Sequence, residues 1–250
     1  MDLQLIAEAK DGFAAQLDKR SGLYNKAVVR QLVNLYNSLP SNLSPEERLR
    51  ALVNATKNFK LSATNQNIIL KDVVVTAQEI AGIWDTYFPG QAIPEDYEKI
   101  LAANKINFEA VNETISHIVK KEVLKAVLSG AGFNAIQSAL SNSGLGFHQA
   151  STIANTYVAM FDNKYMQYVA AKAGIQYFIY DGIILNQTRP FCRERVGRVY
   201  TISELTAMNN SQGLPVEQAL GGYNCTHFLT PAGDYNRKAT GELYDPSHHF

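Results

Sequence analysis

Up to about Ala173 the apolar residues of this 250-residue chain recur at steps of three and four, and from Gly174 onward they alternate or run together. A chain whose hydrophobic period changes once must build helices first and a small mixed region afterwards. The fold class expected is α+β, a long, mostly α-helical N-terminal region followed by a small mixed C-terminal domain of two to four short strands and one or two helices. The expected boundaries are 1–104 for the first helical region, 105–174 for a second that contains a long amphipathic helix, and 175–250 for the α+β domain with an extended C-terminal tail.

Local signals place the elements. Val28, Leu32, Leu35 and Leu39 fall on one face of a helix that Pro40 ends. Ser44-Pro45-Glu46-Glu47 combines a hydroxyl N-cap, a proline whose missing N–H costs nothing at N1, and a glutamate placed to close a capping box. Ile68 to Val75 is β-branched enough for a strand, yet it sits between helical patterns, and a helix is expected. Trp84, Tyr87 and Phe88 precede a Pro89-Gly90 break, and Pro94-Glu95-Asp96 starts another helix. Phe108, Val111, Ile115, Ile118 and Val119 stripe a helix that stops at Ser129-Gly130-Ala131-Gly132, and a short helix covers Phe133 to Leu140. From His148 to Ala171 the residues Ile153, Tyr157, Met160, Phe161, Lys164 and Tyr168 recur at helical steps, and Gly174 is the expected C′ residue. Strands are expected at Ile175 to Tyr180, Arg198 to Tyr200 and Tyr223 to Thr230. Thr201-Ile202-Ser203-Glu204 is a second capping box, opening a short helix.

The charges cancel, 23 basic against 23 acidic, so no global field draws the molecule to nucleic acid or an anionic membrane, and any DNA contact must be local. No stretch approaches the ~20 apolar residues needed to cross a bilayer. The N-terminus lacks the basic start and apolar run of a secretory signal, so export by that route is not expected, and a reducing cytosol leaves a disulfide framework unfavoured.

The chemistry-bearing residues gather between Thr188 and His227, a span that holds both cysteines and one of the five histidines. Cys192, Cys225 and His227 are of the ligand types that bind zinc, with His248 or His249 able to add a fourth ligand if the tail folds back. Two buried free thiols are the competing reading, and no cofactor is the expectation. Arg189, Arg193, Arg195 and Arg198 form a basic concentration. Arg189 is expected to hold its loop through backbone carbonyls, while Arg193, Arg195 and Arg198 are candidates for contact with phosphate or a partner. Gly182, Gly197, Gly221 and Gly222 are expected in turns that need positive φ. His117 and His148 are explained by helix surfaces or caps. Catalysis is not expected, because turns and caps account for the polar residues without it. The enzyme alternative is a small metal-independent nuclease or toxin-like effector with His227 as general base and Arg189 stabilising the phosphate. A helical adaptor is a further alternative.

The order of motifs adds a resemblance. Ala150-Ser151-Thr152-Ile153-Ala154-Asn155-Thr156 on a helix precedes an aromatic strand, then Thr188-Arg189-Pro190-Phe191-Cys192, Gly197-Arg198-Val199-Tyr200, and Gly222-Tyr223-Asn224-Cys225-Thr226-His227. From about Asn134 to Pro231 the chain resembles the Mu F-like phage head morphogenesis family, the minor head or minor capsid proteins. It departs from that family's common pattern in carrying Cys192 alone in place of a C-x-x-C pair, and N-C-T-H in place of N-C-R-C. The resemblance implies a structural protein of a tailed bacteriophage virion, assembled in the host bacterial cytoplasm. Its implied partners are the portal or the major capsid protein, and packaged DNA is a further candidate. It would be present in several copies per particle and help head assembly or genome delivery.

Overall fold

The computed structural model describes residues 4–91, 94–103, 108–233, 235 and 241–248. Its elements in chain order are α1 (Gln4–Asn37), α2 (Pro45–Ala55), a 3-10 turn (Thr56–Asn58), α3 (Ala63–Tyr87), α4 (Pro94–Ala103), α5 (Glu109–Ser129), α6 (Phe133–Asn142) and α7 (Phe147–Lys172). There follow β1 (Tyr177–Asp181), α8 (Pro190–Arg193), β2 (Arg198–Thr201), α9 (Ile202–Thr206), α10 (Val216–Ala219), β3 (Phe228–Pro231) and a final 3-10 turn (Pro246–His248). Long helices come first and the strands follow Gly174, so the fold is α+β.

The chain divides into two compact units built from non-consecutive segments, residues 1–13, 73–105 and 155–250 in one, and 14–72 and 106–154 in the other. The expected small C-terminal region, 175–250, lies wholly in the first. The expected divide at 104/105 falls outside the described residues.

The second unit is all helical. The Ser44 hydroxyl accepts from the Glu47 amide, and the Glu47 carboxylate accepts from the Ser44 amide, so the capping box that starts α2 is closed from both sides. Leu49 and Leu52 are buried behind it, where α2 packs on α5. The buried face of α5, Val111, Ile115, Val119 and Val123, also meets α6. Gly146 has φ +78°, and a side chain there would crowd Ile115 and Val111 at 3.1 and 3.3 Å, so a residue without Cβ suits that position. Tyr36 stacks on Phe133 with ring centroids 3.9 Å apart, and Arg48 lies over the Tyr36 ring at 4.5 Å. Arg20 grips the buried Asp72 carboxylate through two nitrogens, which satisfies a charge removed from water.

In the first unit α7 is the axis. It ends as expected at Gly174, φ +80°, where Gly174 N–H donates to Ala171 and Ile175 N–H to Ala170, a Schellman pattern. The helix is not amphipathic. Between Ala154 and Ala170 its buried residues point in nearly every direction, and Lys164, expected on the buried stripe, is exposed. Such burial is tolerable because the polar residues Thr156, Asp162 and Asn163 find partners, as does the Gln167 side-chain nitrogen, while Gln167 Oε1 is buried without one. Asp162 accepts from Trp84 Nε1 at 2.7 Å and pairs with Lys10.

The sheet is antiparallel with order β2-β1-β3 and pairs Ile179 with Val199 on one side and with Thr230 on the other. Phe178 and Tyr180 point to the buried face of β1. Three expectations need correction. The third strand starts at Phe228 rather than Tyr223, because Gly222 and Asn224 adopt φ +97° and +52° and Cys225 N–H donates back to Gly222, which coils that segment. One or two helices were expected after the first strand, and there are three short ones, the single turns α8 and α10 besides α9. The described part of the tail does not run free. Val199 N–H donates to Glu242 at 2.9 Å, Tyr244 N–H to Gly197 at 2.8 Å, and Tyr235 is buried against Val199 and Ala232. The tail, with Tyr235 and Tyr244 nine residues apart, offers β2 a partner and packs on the second face of the sheet.

Candidate functional site

The α8 turn and the loop after α10 bring the two cysteines together. Pro190 opens α8 at N1 and sets the backbone, and Cys192 on this turn is buried. Leu220, with φ 49° and ψ −108°, sits at the first central position of a turn closed by Gly222 N–H to Ala219 O at 2.8 Å. A glycine is usual there, and holding leucine in that region costs on the order of 1–3 kcal/mol. The turn aims Gly221 N–H at Cys225 Sγ, 3.3 Å away.

Three ligand-type atoms converge. Cys192 Sγ and Cys225 Sγ are 3.7 Å apart, Cys225 Sγ and His227 Nδ1 are 3.5 Å apart, and all three atoms lie within 4.8 Å of one another. Among the described residues this is the one group of three such side chains. His249 lies outside the described residues, as does the side chain of His248. The Tyr180 hydroxyl, fully buried at the end of β1, donates to Cys192 Sγ at 3.3 Å. His227 is 5% exposed, and its Nε2 is buried without a hydrogen-bond partner.

Glycines make room for the cluster. A β-carbon at Gly221 would overlap Cys192 Sγ and lie 3.1 Å from Cys225 Sγ, while one at Gly182 would lie 2.8 Å from His227 Cδ2. Gly182, Gly197 and Gly222 have positive φ as expected, but Gly221 does not, and the close approach of two sulfurs is what excludes a side chain there.

The two thiols differ in acidity. Cys225 accepts from Cys192, His227 and the Gly221 amide, and these bonds outweigh burial and hold its thiol well below the usual range. Cys192, the donor to Cys225 and itself buried, is pushed well above it. Burial pushes the Tyr180 hydroxyl up strongly.

The four guanidinium groups each donate to backbone carbonyls. Arg189 donates to Tyr223 O at 2.7 Å, Arg193 to Leu185 O at 2.9 Å, Arg195 to Phe191 O at 2.6 Å, and Arg198 to Glu194 O and Gly241 O, each at 2.8 Å. Arg195 also covers the Phe191 ring at 3.8 Å. Thr188 closes the preceding turn, its hydroxyl accepting from Leu185 N–H at 2.8 Å. That turn presents Ile183, Ile184 and Leu185 to solvent, 76, 44 and 48% exposed. Gly197 precedes β2 and Tyr200 lies within it; Gly197 N–H donates to Tyr180 O at 2.8 Å and Tyr200 is buried. His117 and His148 are exposed on helices.

Of the α7 residues that fasten this cluster, the sequence singled out Thr156, within its helix motif, but not Asn163 or Gln167. Thr156 Oγ1 accepts from Asn224 N–H at 3.0 Å. Asn163 accepts from Leu229 N–H at 3.1 Å and donates to Gln218 O at 2.7 Å, and Gln167 donates to Glu217 O. Spacings of seven and four place all three on one helix face, and the signal available was three uncharged polar residues in an otherwise apolar run. No helix among the described residues is long and apolar enough to cross a membrane.

Family models, curated proteins and solved structures offer no match to this chain.

Proposed function

We propose that the chain is a minor head protein of a tailed bacteriophage, a structural component that binds the portal or inner capsid and assists head assembly or genome delivery. The observation that supports this most is the junction of Thr156 with Asn224. Thr156 closes the A-x-x-I-A-x-T segment and Asn224 opens N-C-x-H, and the 3.0 Å bond joins the two ends of the motif series across 68 residues. The segments between them also brace one another, Arg189 on Tyr223 and Cys192 against Cys225. Motifs whose polar groups are consumed in holding one another serve shape, and shape serves binding.

The surfaces offered to a partner are the exposed Ile183-Ile184-Leu185 turn and the α5 face of Lys120, Lys121, Leu124, Lys125 and Leu128, with Leu124 60% and Leu128 87% exposed. Clusters of exposed aliphatic residues are the kind of surface that partners cover. Particles purified on a density gradient from cells expressing the head genes should contain the chain, and Ile183→Asp combined with Leu185→Asp should deplete it from particles without loss of helical signal. The reading fails if the chain stays in the soluble fraction as a monomer. It fails equally if the purified protein degrades nucleic acid and His227→Ala stops this while the fold survives.

A further inference from the structure

We propose that Cys192, Cys225 and His227 form a zinc site, with a solvent molecule as the fourth ligand on the half-exposed side of Cys225. The claim is independent of any role in a virion and rests on the dimensions of the cluster. Two Zn–S bonds of about 2.3 Å at a tetrahedral angle set the sulfurs about 3.8 Å apart, and one Zn–S with one Zn–N of about 2.1 Å sets sulfur and nitrogen about 3.6 Å apart. The observed separations are 3.7 Å for Cys192 to Cys225 and 3.5 Å for Cys225 Sγ to His227 Nδ1. The remaining edge, Cys192 to His227, is within 4.8 Å, so a small swing of the imidazole closes the tripod.

The surroundings suit thiolates. Each sulfur has a donor aimed at it, the Tyr180 hydroxyl on Cys192 at 3.3 Å and the Gly221 amide on Cys225 at 3.3 Å. Donors of this kind orient metal-bound sulfur and spread its charge. The glycines fit the same purpose, since a side chain at Gly221 or Gly182 would displace a sulfur or the imidazole. A disulfide would need the sulfurs near 2.05 Å, far inside the 3.7 Å observed.

The charge balance closes. On binding, the protons that the two cysteine sulfurs carry pass to solvent and each sulfur donates an electron pair to Zn²⁺; neutral His227 binds through the Nδ1 lone pair in the tautomer with its proton on Nε2, any proton on Nδ1 moving to Nε2 by exchange with solvent. Two thiolates cancel the charge of the ion, so a neutral centre replaces a polar buried cluster.

The test uses the full chain prepared with zinc present and then dialysed. Elemental analysis should find one zinc per chain. Chelation should lower Tm, and zinc added back should restore it. Titration of the stripped protein with Co²⁺ should give the visible bands of a tetrahedral ion with thiolate-to-metal charge transfer, saturating at one equivalent. Cys192→Ser, Cys225→Ser and His227→Ala should each reduce bound zinc to background. Because a variant may misfold, the cobalt spectrum of the unaltered chain is decisive. Cobalt bands without thiolate charge transfer, a Tm indifferent to chelator and zinc, or an intact mass showing the two thiols joined as a disulfide under reducing conditions would each overturn the site.

Discussion

At the residue scale the cluster is shaped by close approach. Gly221 has no positive φ, so its need for hydrogen as a side chain comes from two sulfurs, chiefly that of Cys192 and to a lesser degree that of Cys225. Gly221→Ala should therefore cost about 1–3 kcal/mol, the range for overpacking a tight site, read from urea unfolding. The same change in a Cys192→Ala background should cost clearly less, because the obstructing atom is gone. Equal costs in the two backgrounds would mean that the sulfur is not the obstruction.

At the element scale, what could be read from the sequence was what short spacing decides. The α2 capping box is complete within four residues, and Ser44→Ala should lower stability by about 1 kcal/mol in denaturant melts. Glu47 adds a pH signature. Bonds from the Ser44 hydroxyl and amide hold its carboxyl below the usual range. The folded pKa is thus lower than the unfolded one, so this contribution is whole above the ordinary carboxylate pKa and lost as pH falls through the lowered value. Wild type and Ser44→Ala should converge in stability on the acid side, and a gap that stays constant with pH would contradict the assignment.

The Thr201 box and the Gly174 stop were legible for the same local reason. The polar face of α7 was not. Asn163 reads as a surface residue until Leu229 and Gln218, 66 and 55 residues away, are folded onto it. The pairing of β2 with the tail was hidden likewise, since Glu242 and Tyr244 carry no strand pattern of their own. The two cysteines could be picked out by type, but their approach depends on the Leu220 turn, which no spacing announces. Asn163→Leu would strand a buried amide and a carbonyl, at about 1–3 kcal/mol for each group left unpaired. It should also speed hydrogen exchange at Leu229 N–H by a factor that the loss of α7 packing alone would not give. Unchanged exchange at that amide would show that Asn163 does not hold β3.

At the scale of the whole molecule, 23 positive and 23 negative charges leave no net field to recruit a polyanion, and the arginines that could grip one locally are bonded to carbonyls. Binding to nucleic acid should accordingly be weak at physiological salt and insensitive to Arg189→Ala, as a filter-binding titration would report. On the proposed reading, partner recognition falls instead to the exposed aliphatic side chains of Ile183, Ile184, Leu185, Leu124 and Leu128. The most direct measurement is cryo-electron microscopy of assembled particles without imposed symmetry. Density for residues 134–231 at the portal vertex or the inner capsid wall, present in wild-type particles and missing when Ile183 and Leu185 are both aspartate, is the predicted result. Particles that are complete and infectious with no density for this chain would contradict the account.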